Sequence, residues 1–157
     1  MSEAEELAAR VADLAGEHGL SVATAESLTS GQVAARLGAA PSASTWFRGG
    51  VVAYAPEVKF AVLGVPEGPV ITEECARTMA EGVARLTGAD LAVGVTGAGG
   101  PDEEEGQAPG TVWFGVLADG RVHTEKMRFD GDPSQVVEAT TAHALRLLLE
   151  SARRIAA

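Results

Sequence analysis

The sequence predicts an α/β fold, a three-layer α/β/α sandwich around a mixed, mostly parallel sheet of about five strands. Three observations predict it. Amphipathic helical stretches open and close the chain, and strand-like and helix-like stretches alternate between them. Leu91-Ala92-Val93-Gly94-Val95-Thr96 is apolar almost without interruption, the pattern of a strand buried on both faces and therefore central. Aromatic residues make up only 4% of the chain while hydrophobic residues reach 46%, so the core has to form by close approach of elements rich in Ala, Val and Gly.

Each element has a local cause. Ser2-Glu3-Ala4-Glu5 has the form of a capping box, Leu7, Val11 and Leu14 give the first helix its inward stripe, and Gly19 ends it. Ser21 to Ala25 is a strand, and Gln32-Val33-Ala34-Ala35-Arg36-Leu37 is the start of a helix. Pro41-Ser42-Ala43-Ser44 is a turn leading into a second strand, Trp46 to Tyr54. Pro56 sits at the first position of a short helix through Leu63 that carries Lys59, with Gly64 and Pro66 beyond its end. Thr72 caps a helix whose face is Ala76, Met79, Val83 and Leu86, and Gly88 follows it. Thr111 to Leu117 and Val122 to Phe129, joined at Asp119-Gly120, form a hairpin, and Asp132-Pro133-Ser134-Gln135 caps a helix reaching about Arg154. No linker or internal repeat divides the 157 residues, so a single domain spanning 1–157 is expected.

Composition narrows the function. A formal charge of −10 argues against a partner that is nucleic acid, because such binding draws on clustered Lys and Arg. One cysteine, Cys75, leaves no internal disulfide and fits a reducing compartment. No apolar run approaches the roughly 18 residues of a membrane span, and the acidic start lacks the basic region of a signal peptide. A cytoplasmic protein with no membrane partner is expected. His18, His123 and His143 lie far apart without ligand spacing and predict no metal site.

In an open α/β sheet, ligands gather beyond the carboxyl ends of the parallel strands. Three such ends carry chemistry here: Thr24 to Ser30, Tyr54 to Lys59, and Thr96 to Pro101. The first is a strand–turn–helix junction, which presents hydroxyls and unpaired N–H groups at the positive end of a helix, a setting suited to an anion. Ser27 is the candidate nucleophile, Lys59 a base if burial lowers its pKa, and Tyr54 or Thr96 a proton relay or hydrogen-bond donor. Thr24, Glu26, Thr29, Ser30 and Gly31 around that junction are candidate substrate-binding groups. Gly97, Gly99 and Gly100 form a candidate anion-binding nest. The plain alternatives stand beside these readings: Ser27, Thr29 or Ser30 as a helix cap, Lys59 as a surface charge, the glycines as a turn, Asp102 to Glu105 as a solvated loop or pocket rim, and Cys75 as an inert core residue.

Thr24-Ala25-Glu26-Ser27-Leu28-Thr29-Ser30-Gly31 resembles the TAESCTGG signature of the CinA C-terminal domain family. Phe47-Arg48-Gly49-Gly50-Val51-Val52-Ala53-Tyr54, followed by Glu57 and Lys59, resembles a second family segment. Gly64-Val65-Pro66, Ala89 to Ala92, Val95 to Pro101 and Pro109 to Trp113 continue the likeness in order, over nearly the whole chain. The resemblance implies an α/β/α domain similar to bacterial nicotinamide-nucleotide amidases. These convert nicotinamide mononucleotide to nicotinate mononucleotide and ammonia in pyridine nucleotide salvage, with no cofactor or metal. It implies Ser27 as the acyl-accepting nucleophile beside Lys59, Tyr54 and Thr96, a pyridine nucleotide as substrate, and a homodimer. The chain departs from the pattern at Leu28, Ser30, Ala55-Pro56 and a short Pro66–Val70 loop. The arginines that many members carry after Gly-Asp are absent beyond Gly131-Asp132. Arg48, Arg128 or a partner residue is then the candidate to meet a substrate phosphate. Two alternatives follow: a member that binds a nucleotide or small anion without turnover, and an interaction module in a competence or DNA-damage pathway, whose direct contact with DNA the acidic charge opposes.

Overall fold

The computed structural model describes residues 1–157. Six helices and five strands follow in the order α1 (Glu3–His18), β1 (Val22–Glu26), α2 (Gln32–Gly38), α3 (Ala43–Trp46), β2 (Phe47–Val52), α4 (Pro56–Leu63), α5 (Glu73–Thr87), β3 (Leu91–Gly97), β4 (Thr111–Ala118), β5 (Arg121–Arg128) and α6 (Pro133–Ala156). The caps read from the sequence close the helices. Ser2 Oγ accepts from the Glu5 N–H at 3.2 Å, Thr72 Oγ1 from the Cys75 N–H at 3.0 Å, and Asp132 and Gln135 form a reciprocal capping box on α6.

One element differs. Residues 43–46, expected as the end of a turn and the start of a strand, form the single helical turn α3. Ser42 enters it at φ +56°, and the Thr45 N–H and hydroxyl both donate to the Ser42 carbonyl, at 2.9 and 2.8 Å. The Trp46 indole N–H donates to the Pro41 carbonyl at 3.1 Å, which turns the ring into the core and delays the strand to Phe47.

The sheet order is β2-β1-β3-β4-β5, with β1 parallel to both neighbours and the β3–β4 and β4–β5 pairs antiparallel. One apolar cluster packs α1, α2, α3 and α6 on one face, through Leu7, Val11, Leu37, Trp46, Phe114, Leu145 and Leu148. The other, around Ala23, Ala25, Leu63, Met79, Val83 and Ala92, packs α4 and α5 on the opposite face. Three layers result. No helix is long and apolar enough to cross a membrane.

The α5 layer lies unusually close to the sheet. A Cβ at Gly94 would fall 2.7 Å from the Ala76 carbonyl oxygen and the Ala80 nitrogen, and one at Gly115 would fall 2.5 Å from the same Ala76 oxygen. Glycines on adjacent strands therefore form a shallow trough that receives the backbone of α5. Within its own layer α5 receives α4 in the same way, because a Cβ at Gly82 would meet the Leu63 carbonyl at 2.3 Å. Gly94→Ala and Gly82→Ala should each lower stability by about 1–3 kcal/mol in urea unfolding. Gly16→Ala, in α1 with open space around its Cβ position, should raise it by about 0.5–1 kcal/mol.

Candidate active site

The β1–α2 junction is built around a buried carboxylate. Glu26 is fully buried, and its two oxygens accept from the Val33 N–H at 3.0 Å and the Ala34 N–H at 2.9 Å, the first free donors of α2. The anion expected at this helix end is thus the chain's own side chain, and Glu26 is a cap and not a ligand-facing group. None of Ser27, Thr29 and Ser30 caps α2, whose N-cap is Gly31, a residue with no side chain to cap it. The Ser27 hydroxyl is left free of that duty. Ser30 at φ +49° and Gly31 at φ +94° bend the chain into α2, so these two serve the turn. The Leu28 and Thr29 N–H groups donate to no acceptor within the chain, whereas the Ser30 N–H returns to the Ser27 carbonyl.

Sheet register places the strand ends together. Ala25 pairs with Gly94 and Glu26 with Val52, so Ser27 stands level with Thr96 on one neighbouring strand and Ala53 on the other. Adjacent strands are roughly 4.8 Å apart. A Cβ at Gly99 would touch Leu28 at 3.9 Å, which brings the 97–101 loop against the Ser27 turn. The Gly99 and Gly100 N–H groups are unpaired within the chain. Gly97 does something else: its backbone is in the β3–β4 ladder opposite Val112, where a Cβ would collide with the Thr111 carbonyl at 2.5 Å, so it belongs to the sheet and not to an anion nest.

Lys59 is the largest wholly buried side chain of the protein, only 1% exposed. The surface-charge reading of this residue is thereby excluded. The Pro56 start and the docking of α4 on α5 turn the side chain inward, and its ammonium donates to the Tyr54 carbonyl at 3.1 Å. Burial lowers its pKa from 10.5, against the opposing pull of Cys75, Glu104, Glu105 and Glu57. The Tyr54 side chain is 67% exposed, so toward Lys59 the residue acts through its backbone carbonyl. Thr96 is buried, donates its hydroxyl proton to the Val70 carbonyl at 2.7 Å, and lies beside Cys75, whose thiol burial pushes up to about 11. That thiol is inert as a nucleophile at neutral pH, as the sequence suggested.

Other expected groups take different places. Thr24 Oγ1 is buried without a partner where a Cβ on Gly50 would come within 2.2 Å of it, and Thr29 Oγ1 is likewise buried and unpaired. Arg48, at the opening of β2, lines a cleft with Ser21 and Asp90 at the amino end of the strands, the far end of the sheet from Ser27. Its separation from the strand carboxyl ends removes it as a phosphate partner for this crevice. A larger cleft, about 800 Å³, lies between α1, α2 and α6 and is lined by Gln32, Arg36, Ser134 and Glu138, with none of the candidate catalytic residues. Sequence reading missed Glu105, whose carboxylate accepts from the Val70 and Ile71 N–H groups at 2.9 and 2.8 Å. Within an acidic run no local signal marks one glutamate as different.

The family model of the CinA C-terminal domain matches residues 4–152. The chain belongs to the CinA C-terminal domain family. A CinA-like protein of Citrifermentans bemidjiense is 40% identical over 148 residues, covering 90% of this chain and 36% of that protein. A CinA-like protein of Dictyoglomus thermophilum is 35% identical over 88% of this chain and 35% of its own length, so the chain spans about a third of the curated relatives it matches. Among solved structures, a competence-damaged protein (CinA) superfamily protein from Klebsiella pneumoniae superposes with TM-score 0.92 at 35% identity, covering 96% of this chain and 98% of that one. The competence/damage inducible protein CihA of Agrobacterium tumefaciens gives 0.88 at 31%, covering 96% of each.

The departures of this CinA domain from the family pattern have local structural accounts. Leu28 fills the space against Gly99, Pro56 starts α4, and Pro133 is the first residue of α6 beneath its capping box.

Two outcomes separate scaffold from site. Glu26→Ala should cost about 2 kcal/mol by stranding two helix donors, while Ser27→Ala should change stability by less than about 0.5 kcal/mol. Lys59→Met should stabilise the domain. The folded-state pKa of Lys59 lies below its unfolded value, so below the folded value the lysine is buried charged, between the two values it gives up its proton on folding, and that penalty fades as pH rises toward 10.5. The gain from Lys59→Met in urea unfolding should therefore be larger at about pH 6 than at about pH 10.

Proposed function

We propose that this CinA domain is a serine amidohydrolase that converts nicotinamide mononucleotide to nicotinate mononucleotide and ammonia. The observation that carries the reading is a lysine desolvated at the strand ends where a serine, relieved of capping by Glu26, stands level with Thr96. Lys59 in its neutral form takes the Ser27 hydroxyl proton as the oxygen attacks the amide carbon. The unpaired N–H groups of Leu28 and Thr29, with those of Gly99 and Gly100 in the loop that packs on Leu28, are the donors available to the oxyanion. Lys59 then hands the proton to the departing nitrogen, ammonia leaves, and a water molecule cleaves the acyl–serine ester to give the carboxylate product. The Tyr54 carbonyl orients the Lys59 amine throughout, and the exposed Tyr54 ring is available to a ligand at the mouth.

One feature supports a second reading. The turn before α6 offers an Asp132 capping box and Pro133 in place of arginines, so no guanidinium there meets a dianionic phosphate. A domain that binds a nucleotide or small anion without turnover fits that loss.

Ammonia release from nicotinamide mononucleotide decides between them. Wild-type protein should release ammonia at a rate that Ser27→Ala lowers at least about a thousandfold, and kcat should rise with pH as Lys59 loses its proton, with the midpoint below 10.5. Tight nucleotide binding in calorimetry with no ammonia would establish the second reading instead.

A further inference from the structure

The connection between α4 and α5 has no regular structure between Val65 and Thr72, yet Val70 and Ile71 are buried. Its backbone is tied to the rest of the protein at one place. Glu105 accepts from the Val70 N–H at 2.9 Å and the Ile71 N–H at 2.8 Å, and the Val70 carbonyl accepts the Thr96 hydroxyl at 2.7 Å. No other backbone or side-chain hydrogen bond joins residues 66–71 to a neighbour. Glu105 holds this position from the left-handed region, at φ +52°, a conformation that residues with a Cβ seldom adopt. A solvent-facing glutamate kept in that backbone state by two buried donors is a latch.

The latch bears on the site through Thr96. The Thr96 hydroxyl donates to that carbonyl at 2.7 Å, and Thr96 stands level with Ser27 in the sheet register and beside Cys75, which lies near Lys59. We propose that Glu105 is a positioning residue of the amide-hydrolysing site, acting through Val70 to fix the direction of the Thr96 hydroxyl. The proposal rests on the amidohydrolase reading above. The charged and titratable groups around Lys59 are Cys75 from α5, Glu104 and Glu105 from the 98–110 loop, and Glu57 from its own helix, so the same carboxylate also supports the protonated form of the lysine.

Glu105→Ala and Glu105→Gln separate these effects. The glutamine removes the charge and keeps one acceptor oxygen, at the position that already lies 2.8 Å from the Ile71 nitrogen and 3.2 Å from the Val70 nitrogen; the alanine removes charge and acceptor alike. In the alanine variant, hydrogen exchange at the Val70 and Ile71 amides should quicken at least about tenfold, and kcat should fall about tenfold with KM within about twofold of wild type. The glutamine variant should recover most of kcat and most of the amide protection. In both variants the rising limb of the pH profile should move to lower pH, because a negative charge that raised the Lys59 pKa is gone. Unchanged exchange at Val70 and Ile71 overturns the latch. A kcat loss with no movement of the pH limb and no recovery in the glutamine variant reduces Glu105 to a fold-stabilising role and also overturns the proposal. If wild-type protein releases no ammonia, the amidohydrolase reading fails, and amide exchange together with an NMR titration of Lys59 in Glu105→Gln still reports on the latch alone.

Discussion

Backbone-level contact between α5 and the sheet is the constraint on which this structure depends. Gly94 and Gly115 present no side chain to the helix, so the Ala76 carbonyl reaches the sheet itself. That depth presses Cys75 toward Thr96, and the matching gap at Gly82 lets α4 settle on α5. Lys59 rides on α4 and is carried into the interior by this stacking. A lysine is seldom wholly buried, because desolvating its charge is costly. Here the close-packed layers hold it in place and the cost emerges as a depressed pKa, the property a general base requires.

The junction after β1 shows a second economy of placement. A helix amino end attracts anions, and in this protein Glu26 occupies that position from within the chain. The consequence is a division of labour within four consecutive residues. Glu26 holds the helix, while Ser27 and the N–H groups of Leu28 and Thr29 are released from secondary structure and stand at the edge of the crevice. Buried but unpaired hydroxyls at Thr24 and Thr29 add local polarity to the same region.

Family membership and geometry bear on different questions. The match over residues 4–152 and the superposition on solved CinA-superfamily structures establish lineage and fold. What this chain itself supplies near the strand ends is a buried Lys59, a Ser27 free of capping and a Thr96 bonded to Val70. At the turn before α6 this chain places the Asp132 capping box and Pro133, and no arginine.

Features that arise from neighbours in the sequence were legible before any coordinates. The caps at Ser2, Thr72 and Asp132, the uninterrupted apolar run of β3, the hairpin turn at Asp119-Gly120 and the order of the layers all follow from periodicity and capping chemistry, which act over a few residues. The ordered motifs also named Ser27 and Lys59 as residues to watch. What the linear pattern did not hold was which groups face each other across long separations. Glu26 and Ser27 are adjacent and both polar, yet one turns into the α2 amino end and the other does not. Glu105 belongs to a run of like charges, and its bond to Val70 spans 35 positions. Arg48 shares a motif with Tyr54 but opens the strand that Tyr54 follows, so a strand's length divides them. Burial, register and charge environment are properties of the packed layers, and a pKa such as that of Lys59 exists only once those layers have excluded water.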